Sequence, residues 1–191
     1  MEVRGVKIDH SSLNRWVINY SSSLALAAKK CKRTVATSWR MDETYIKIKG
    51  KWIYLYRAVD KFGDTVDFVL SEYRDEAAAT AFFKQVIDAN GFPKKVVMDK
   101  NGANYAVLEN INILLMLAGL ISFVEILQVK NLNNLIEQDH RFIKKITNPM
   151  MGFKAFNSVK ATRDGIEIAH MIRKGQLSDE NIPAAKCGFA L

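Results

Sequence analysis

Apolar positions early in the chain recur at helical spacing: Leu13, Trp16, Val17 and Tyr20 follow a helix start at Lys7-Ile8-Asp9 and predict a short amphipathic helix over residues 6–20. From Ser21 to Ser38 the chain turns to Ala, Ser, Lys and Arg, with the run Lys29-Lys30-Cys31-Lys32-Arg33, and reads as a basic connector. At Trp39 the period changes to two. Strands are predicted over Trp39 to Lys49, Lys51 to Val59 and Thr65 to Glu72, separated by turns at Gly50 and at Asp60-Lys61-Phe62-Gly63. Two such short turns make three antiparallel strands in a meander. Asp75-Glu76 then opens a helix that stops at Asn90-Gly91, because acids favour the first turn and glycine the stop. Lys95 to Met98 reads as a short strand, Gly102 to Gly119 as a helix, Ile121 to Val129 as a strand and Asn133 to Ile146 as a helix, with further helix after Pro149.

This order, three meander strands followed by two helix-linked strands, is that of a ribonuclease H-like α/β fold. Its sheet is mixed, three antiparallel strands plus two parallel ones, with flanking helices. The expected organisation is an amino-terminal helix and connector over 1–38, the α/β core over 39–175 and a tail over 176–191. With 191 residues, 49% of them apolar, a sizeable core can be buried. The most apolar stretch, Ile111 to Leu127, is interrupted by Asn112, Gly119, Ser122 and Glu125, so no membrane span is expected. Two distant cysteines, Cys31 and Cys187, support neither a disulfide framework nor a zinc site, and a reducing cytoplasm is the simplest location. The formal charge of +8 favours a polyanionic partner.

Three acids stand out. Alternation along the first core strand puts Asp42 on the face of Thr44, Ile46 and Ile48, where an isolated carboxylate is costly unless a cation or donor answers it. Asp99 follows Val96-Val97-Met98 at the carboxyl end of a strand, where open α/β sheets form ligand crevices. Glu137 lies one turn into a helix, and His140, Arg141 and Lys144 follow on its stripe. Each acid taken singly also has a structural reading: Asp42 as an edge carboxylate, Asp99 as a helix cap, Glu137 as part of a capping box. Together they would meet in a ribonuclease H-like sheet. Three carboxylates suit hard cations, and a pair of Mg²⁺ ions can serve phosphodiester displacement.

Trp39-Arg40-Met41-Asp42-Glu43-Thr44-Tyr45, Tyr54-Leu55-Tyr56-Arg57-Ala58-Val59-Asp60, Asp99-Lys100, Asn133-Asn134-Leu135-Ile136-Glu137-Gln138-Asp139-His140 and Met151-Gly152-Phe153-Lys154 closely resemble the DDE transposases of the IS-six insertion-sequence family. The resemblance runs over nearly the whole chain. It implies that Asp42, Asp99 and Glu137 are the catalytic triad and hold two Mg²⁺ or Mn²⁺ ions. It also implies strand cleavage and strand transfer on double-stranded DNA, at transposon ends and target, by a homo-oligomer such as a dimer. Lys100, His140, Arg141 and Lys144 are expected along the DNA path, and Asn14 and Arg15 on a recognition helix. Arg4 to Trp16 resembles only the last helix of the family's helix-turn-helix, so the chain is expected to be truncated at its amino terminus and to bind DNA with little sequence preference. Two other readings are an inactive DNA-binding remnant and a ribonuclease H-like nuclease, which would use the same carboxylates.

Overall fold

A computed structural model describes residues 2–3, 6–7, 9–48, 50–100, 102–120, 123–129, 134–147 and 156–177. The expectations at Asn133, Pro149, the motif 151–154 and the tail beyond 177 lie outside the described residues. Two short strands, β1 (Glu2–Val3) and β2 (Val6–Lys7), pair antiparallel ahead of α1 (His10–Cys31). Asp9 caps α1, its side chain accepting from the backbone N–H of Ser11.

The basic connector expected over 21–38 is corrected: most of it is helix, because α1 continues to Cys31. Its Ser and Ala residues are not linker chemistry. Alanine is the best helix former, and Ser21, Ala25 and Ala28 make a buried stripe of small residues. That stripe packs on α5 (Phe156–Arg173), where Ser22 donates to Asp164 at 3.1 Å and Gly165 faces Ser21. Arg33 N–H donates to the Gln176 carbonyl at 3.0 Å, closing this unit beyond the helices. The chain divides into two compact units, one built on α1 and α5 and the other on the sheet. α5, expected inside a core of 39–175, thus groups with α1.

The second unit is a five-stranded sheet. β3 (Ser38–Ile48), β4 (Lys51–Asp60) and β5 (Thr65–Ser71) form the antiparallel meander, while β6 (Lys95–Met98) and β7 (Glu125–Gln128) add in parallel, giving the order β5-β4-β3-β6-β7. The mixed sheet read from the sequence is therefore the one observed. The β3–β4 hairpin turns through Gly50, whose φ of 82° lies in the left-handed region that glycine adopts without steric cost. The second turn is organised by the buried Asp60. Its Oδ1 accepts from the N–H groups of Phe62 and Asp64 at 2.9 and 3.0 Å, and its Oδ2 accepts from Ala36 at 2.9 Å.

α2 (Glu76–Asn90) and α3 (Gly102–Leu117) cover one face, burying Trp39, Met41, Val96 and Met98 beneath Phe82, Phe83, Val107 and Leu108. α4 (Asn134–Thr147) packs on β3 and β4, and Ile136 and Ile143 are buried along it. β7 is shorter than the strand expected over 121–129. Asn112 on α3 holds both backbone groups of Val124, donating from Nδ2 to the carbonyl at 3.0 Å and accepting the N–H on Oδ1 at 2.8 Å. With its N–H taken by a side chain, Val124 has no donor left for the sheet ladder.

Candidate active site

Burial along β3 changes face partway. Trp39 and Met41 are buried on the α2/α3 side, whereas Thr44, Ile46 and Ile48 are buried on the other, and Asp42 and Glu43 between them are half-buried. Asp42 sits where the helical cover passes from one face to the other, so its carboxylate is held by the sheet and still reached by water. The parallel register of β3 and β6 ends at Met41↔Met98, and the next residues are Asp42 and Asp99. Both stand one position past the same rung on adjacent strands. Because Met41 points to the α2/α3 face, Asp42, the next residue of β3, points to the opposite one.

α4 brings two side chains to that face. His140 is 4% exposed, and its Nε2 lies 3.3 Å from Asp42 Oδ2. Glu137, in the first turn of α4, is one turn before His140, and residues three apart are neighbours on a helix surface. Glu137 is half-buried. On β4, Arg57 is the register partner of Asp42 and wholly buried; it donates to Asp139 Oδ2 at 2.6 Å and to Thr65 Oγ1 at 3.1 Å. Among the described residues no three His, Cys, Asp or Glu side chains gather closely enough to hold one metal ion. Asp42 is turned to His140, Asp99 follows the end of β6, and Glu137 lies in the first turn of α4.

On the opposite face Glu43 is also fixed. Its Oε1 accepts from Asn104 Nδ2 at 2.6 Å, and its Oε2 accepts from Arg74 Nε at 2.5 Å, which holds the guanidinium further above its ordinary range. Burial first, and then the Glu43 charge, push the Tyr56 hydroxyl up to about 12.

The residues expected along a DNA path divide. Lys100 and Arg141 are exposed, and the Lys144 ammonium lies 5.3 Å from the centre of the Tyr45 ring. His140 is buried with its ring against Asp42, because it falls on the inward stripe of α4 with Ile136 and Ile143. Asn14 and Arg15 are exposed on α1, in the other unit. Arg57, Asp139, Glu43 and Asn104 were not anticipated. A signal existed for Arg57, a lone charge inside the apolar run Tyr54 to Val59.

A mixed sheet in this strand order, an antiparallel meander followed by two parallel strands, is a ribonuclease H-like fold. A chain of the simian T-cell lymphotropic virus intasome, solved in complex with the PP2A regulatory subunit B56 gamma, shares this fold. It matches with a TM-score of 0.52 and 18% identity, over 73% of this chain and 50% of that one. Residues 36–176 match the family described as DDE domain, DDE_Tnp_IS240. The chain is 40% identical over 171 residues to the transposase for insertion sequence-like element IS431mec of Staphylococcus aureus, and equally to the transposase for insertion sequence element IS257 in transposon Tn4003 of the same species. Either alignment spans 90% of this chain and 73% of the relative. The chain belongs to the DDE transposases of the IS-six insertion-sequence family. No helix among the described residues is long and apolar enough to cross a membrane.

Proposed function

We propose that Asp42, Asp99 and Glu137 are the acids with which this transposase cuts and joins DNA at insertion-sequence ends, and that they hold Mg²⁺ or Mn²⁺, two ions in the working site. The observation that supports this is the parallel register of β3 and β6, whose last pair, Met41↔Met98, directly precedes Asp42 and Asp99 in the chain. The donor set fits: three carboxylates offer the hard oxygen ligands such cations take. Bound there, the ions would stabilise charge on the attacking and leaving oxygens of a phosphodiester displacement. The protein's own part is to hold the carboxylates in place. Asp42 stays in reach of water, and Glu137 lies one turn before His140, the α4 residue that meets Asp42. Lys100 and Arg141 offer exposed cations to the DNA backbone, Lys144 adds charge near Tyr45, and Asn14 and Arg15 present polar groups from α1. Assembly as a homo-oligomer, such as a dimer, on double-stranded DNA, in the cytoplasm, completes the reading.

The test uses a labelled duplex taken from the ends of the insertion sequence that carries the gene. Asp42→Asn, Asp99→Asn and Glu137→Gln should each abolish Mn²⁺-dependent cleavage and joining while leaving circular dichroism and DNA affinity parental. Lys100→Gln with Arg141→Gln should weaken binding, with a shallower dependence of affinity on salt. An active parent with any acid variant at parental rate removes that residue from the triad.

A further inference from the structure

We propose that Arg57 and Asp139 act as a positioning pair that sets the rotation and height of α4 over the sheet and so determines where Glu137 meets Asp42 and Asp99; this rests on Glu137 being a metal-binding acid. Arg57 is 0% exposed and stands directly across from Asp42 in the β3–β4 register, yet it donates to Asp139 on α4 and to Thr65 on β5. One guanidinium thereby ties two strands to the helix that carries Glu137.

Stability does not account for burying this pair. α4 already has apolar anchors in Ile136 and Ile143, 0% and 1% exposed. Replacing a buried ion pair by apolar side chains of similar volume is often neutral or stabilising, because desolvating two charges cancels most of their attraction. Apolar contacts tolerate small slides and rotations of a helix, whereas a 2.6 Å contact made by a planar guanidinium does not. At 3.6 residues per turn, Asp139 and Glu137 lie on opposite flanks of the inward stripe formed by Ile136, His140 and Ile143. Pinning one flank therefore fixes the other. At the 5–6 Å radius of a helix with its side chains, a rotation of about 10° moves a carboxylate by about 1 Å. Productive sites tolerate about 0.5 Å.

The discriminating variant in the whole protein is Arg57→Met with Asp139→Leu, which removes the pair without stranding a buried charge. Expected are parental DNA affinity, a melting temperature close to the parent's, at least tenfold weaker Mn²⁺ binding by calorimetry, and a matching rise in the Mn²⁺ needed for half-maximal cleavage. Supporting partners of metal ligands cost 10–100-fold when removed. Mn²⁺ binding within twofold of the parent overturns the proposal. Arg57→Lys covers the case in which the double variant does not fold: it keeps the charge and loses the fork, and a folded Arg57→Lys protein with parental Mn²⁺ binding also overturns it. Glu137→Gln measured in parallel separates the two levels. If it binds Mn²⁺ and cleaves like the parent, the triad reading fails; if it is inactive and the double variant is parental, only the positioning role fails.

Discussion

Asn104→Ala tests how tightly the start of α3 is tied to β3. Asn104 is 2% exposed in the first turn of the helix that follows Asp99, and its Nδ2 donates at 2.6 Å to Glu43, the neighbour of Asp42. A hydrogen bond to a charged acceptor contributes about 1.5–3 kcal/mol. Asn104 Oδ1 is buried without a hydrogen-bond partner, so truncation also relieves a desolvated acceptor, and the net loss falls to about 1.5 kcal/mol. At 2–4 °C per kcal/mol for a chain of this size, melting should drop by roughly 3–6 °C. Arg74→Ala removes the other partner of the same carboxylate, but Arg74 is 55% exposed, and exposed ion pairs are worth about 0–1 kcal/mol and are screened by salt. Differential scanning fluorimetry of both variants at low salt and at high salt separates the two contributions. The Asn104→Ala deficit should persist in high salt and the Arg74→Ala deficit should vanish. An Arg74→Ala loss equal to or larger than that of Asn104→Ala, or an Asn104→Ala loss abolished by salt, would refute the assignment of Asn104 as the principal tie.

Two further outcomes follow from single contacts. With the Tyr56 hydroxyl raised to about 12 from an ordinary 10, the folded state holds that proton more tightly than the unfolded chain. Its contribution to stability is complete below pH 10 and is lost as pH rises from 10 to 12. Urea unfolding of the parent should therefore lose stability over that interval, and Tyr56→Phe should lose less; equal slopes would contradict the assignment. A Cβ at Gly165 would meet Ser21 Oγ at 3.0 Å, tight enough to force a shift that offsets the roughly 1 kcal/mol helix preference of alanine over glycine. Gly165→Ala should thus be clearly stabilising only in a Ser21→Ala background, and equal effects in both backgrounds would remove Ser21 from that contact.

The sheet was legible because its signals are local. Alternation, Gly50 and the Asp60 to Gly63 turn fix three neighbouring strands, and the parallel pair follows from strands that a helix must connect. The face of Asp42 was legible for the same reason, since a period of two assigns every side chain on β3 once one is known. Long-range cover left no such trace. Ser21, Ala25 and Ala28 look like linker residues until α5 lies against them, and Asn112 gives no sign in sequence that it claims the backbone of Val124. His140 shows the limit most directly. On a helical wheel it shares a stripe with Glu137, Arg141 and Lys144, and a stripe of one acid and three bases suggests a face turned to DNA. The inward direction is set instead by Ile136 and Ile143, which put His140 against Asp42 and leave Arg141 in solvent. A helix beside a carboxylate site must be oriented by its apolar residues before its charges are given roles, because burying two isoleucines outweighs the attraction of exposed cations to a phosphate backbone in the folding of the unbound protein.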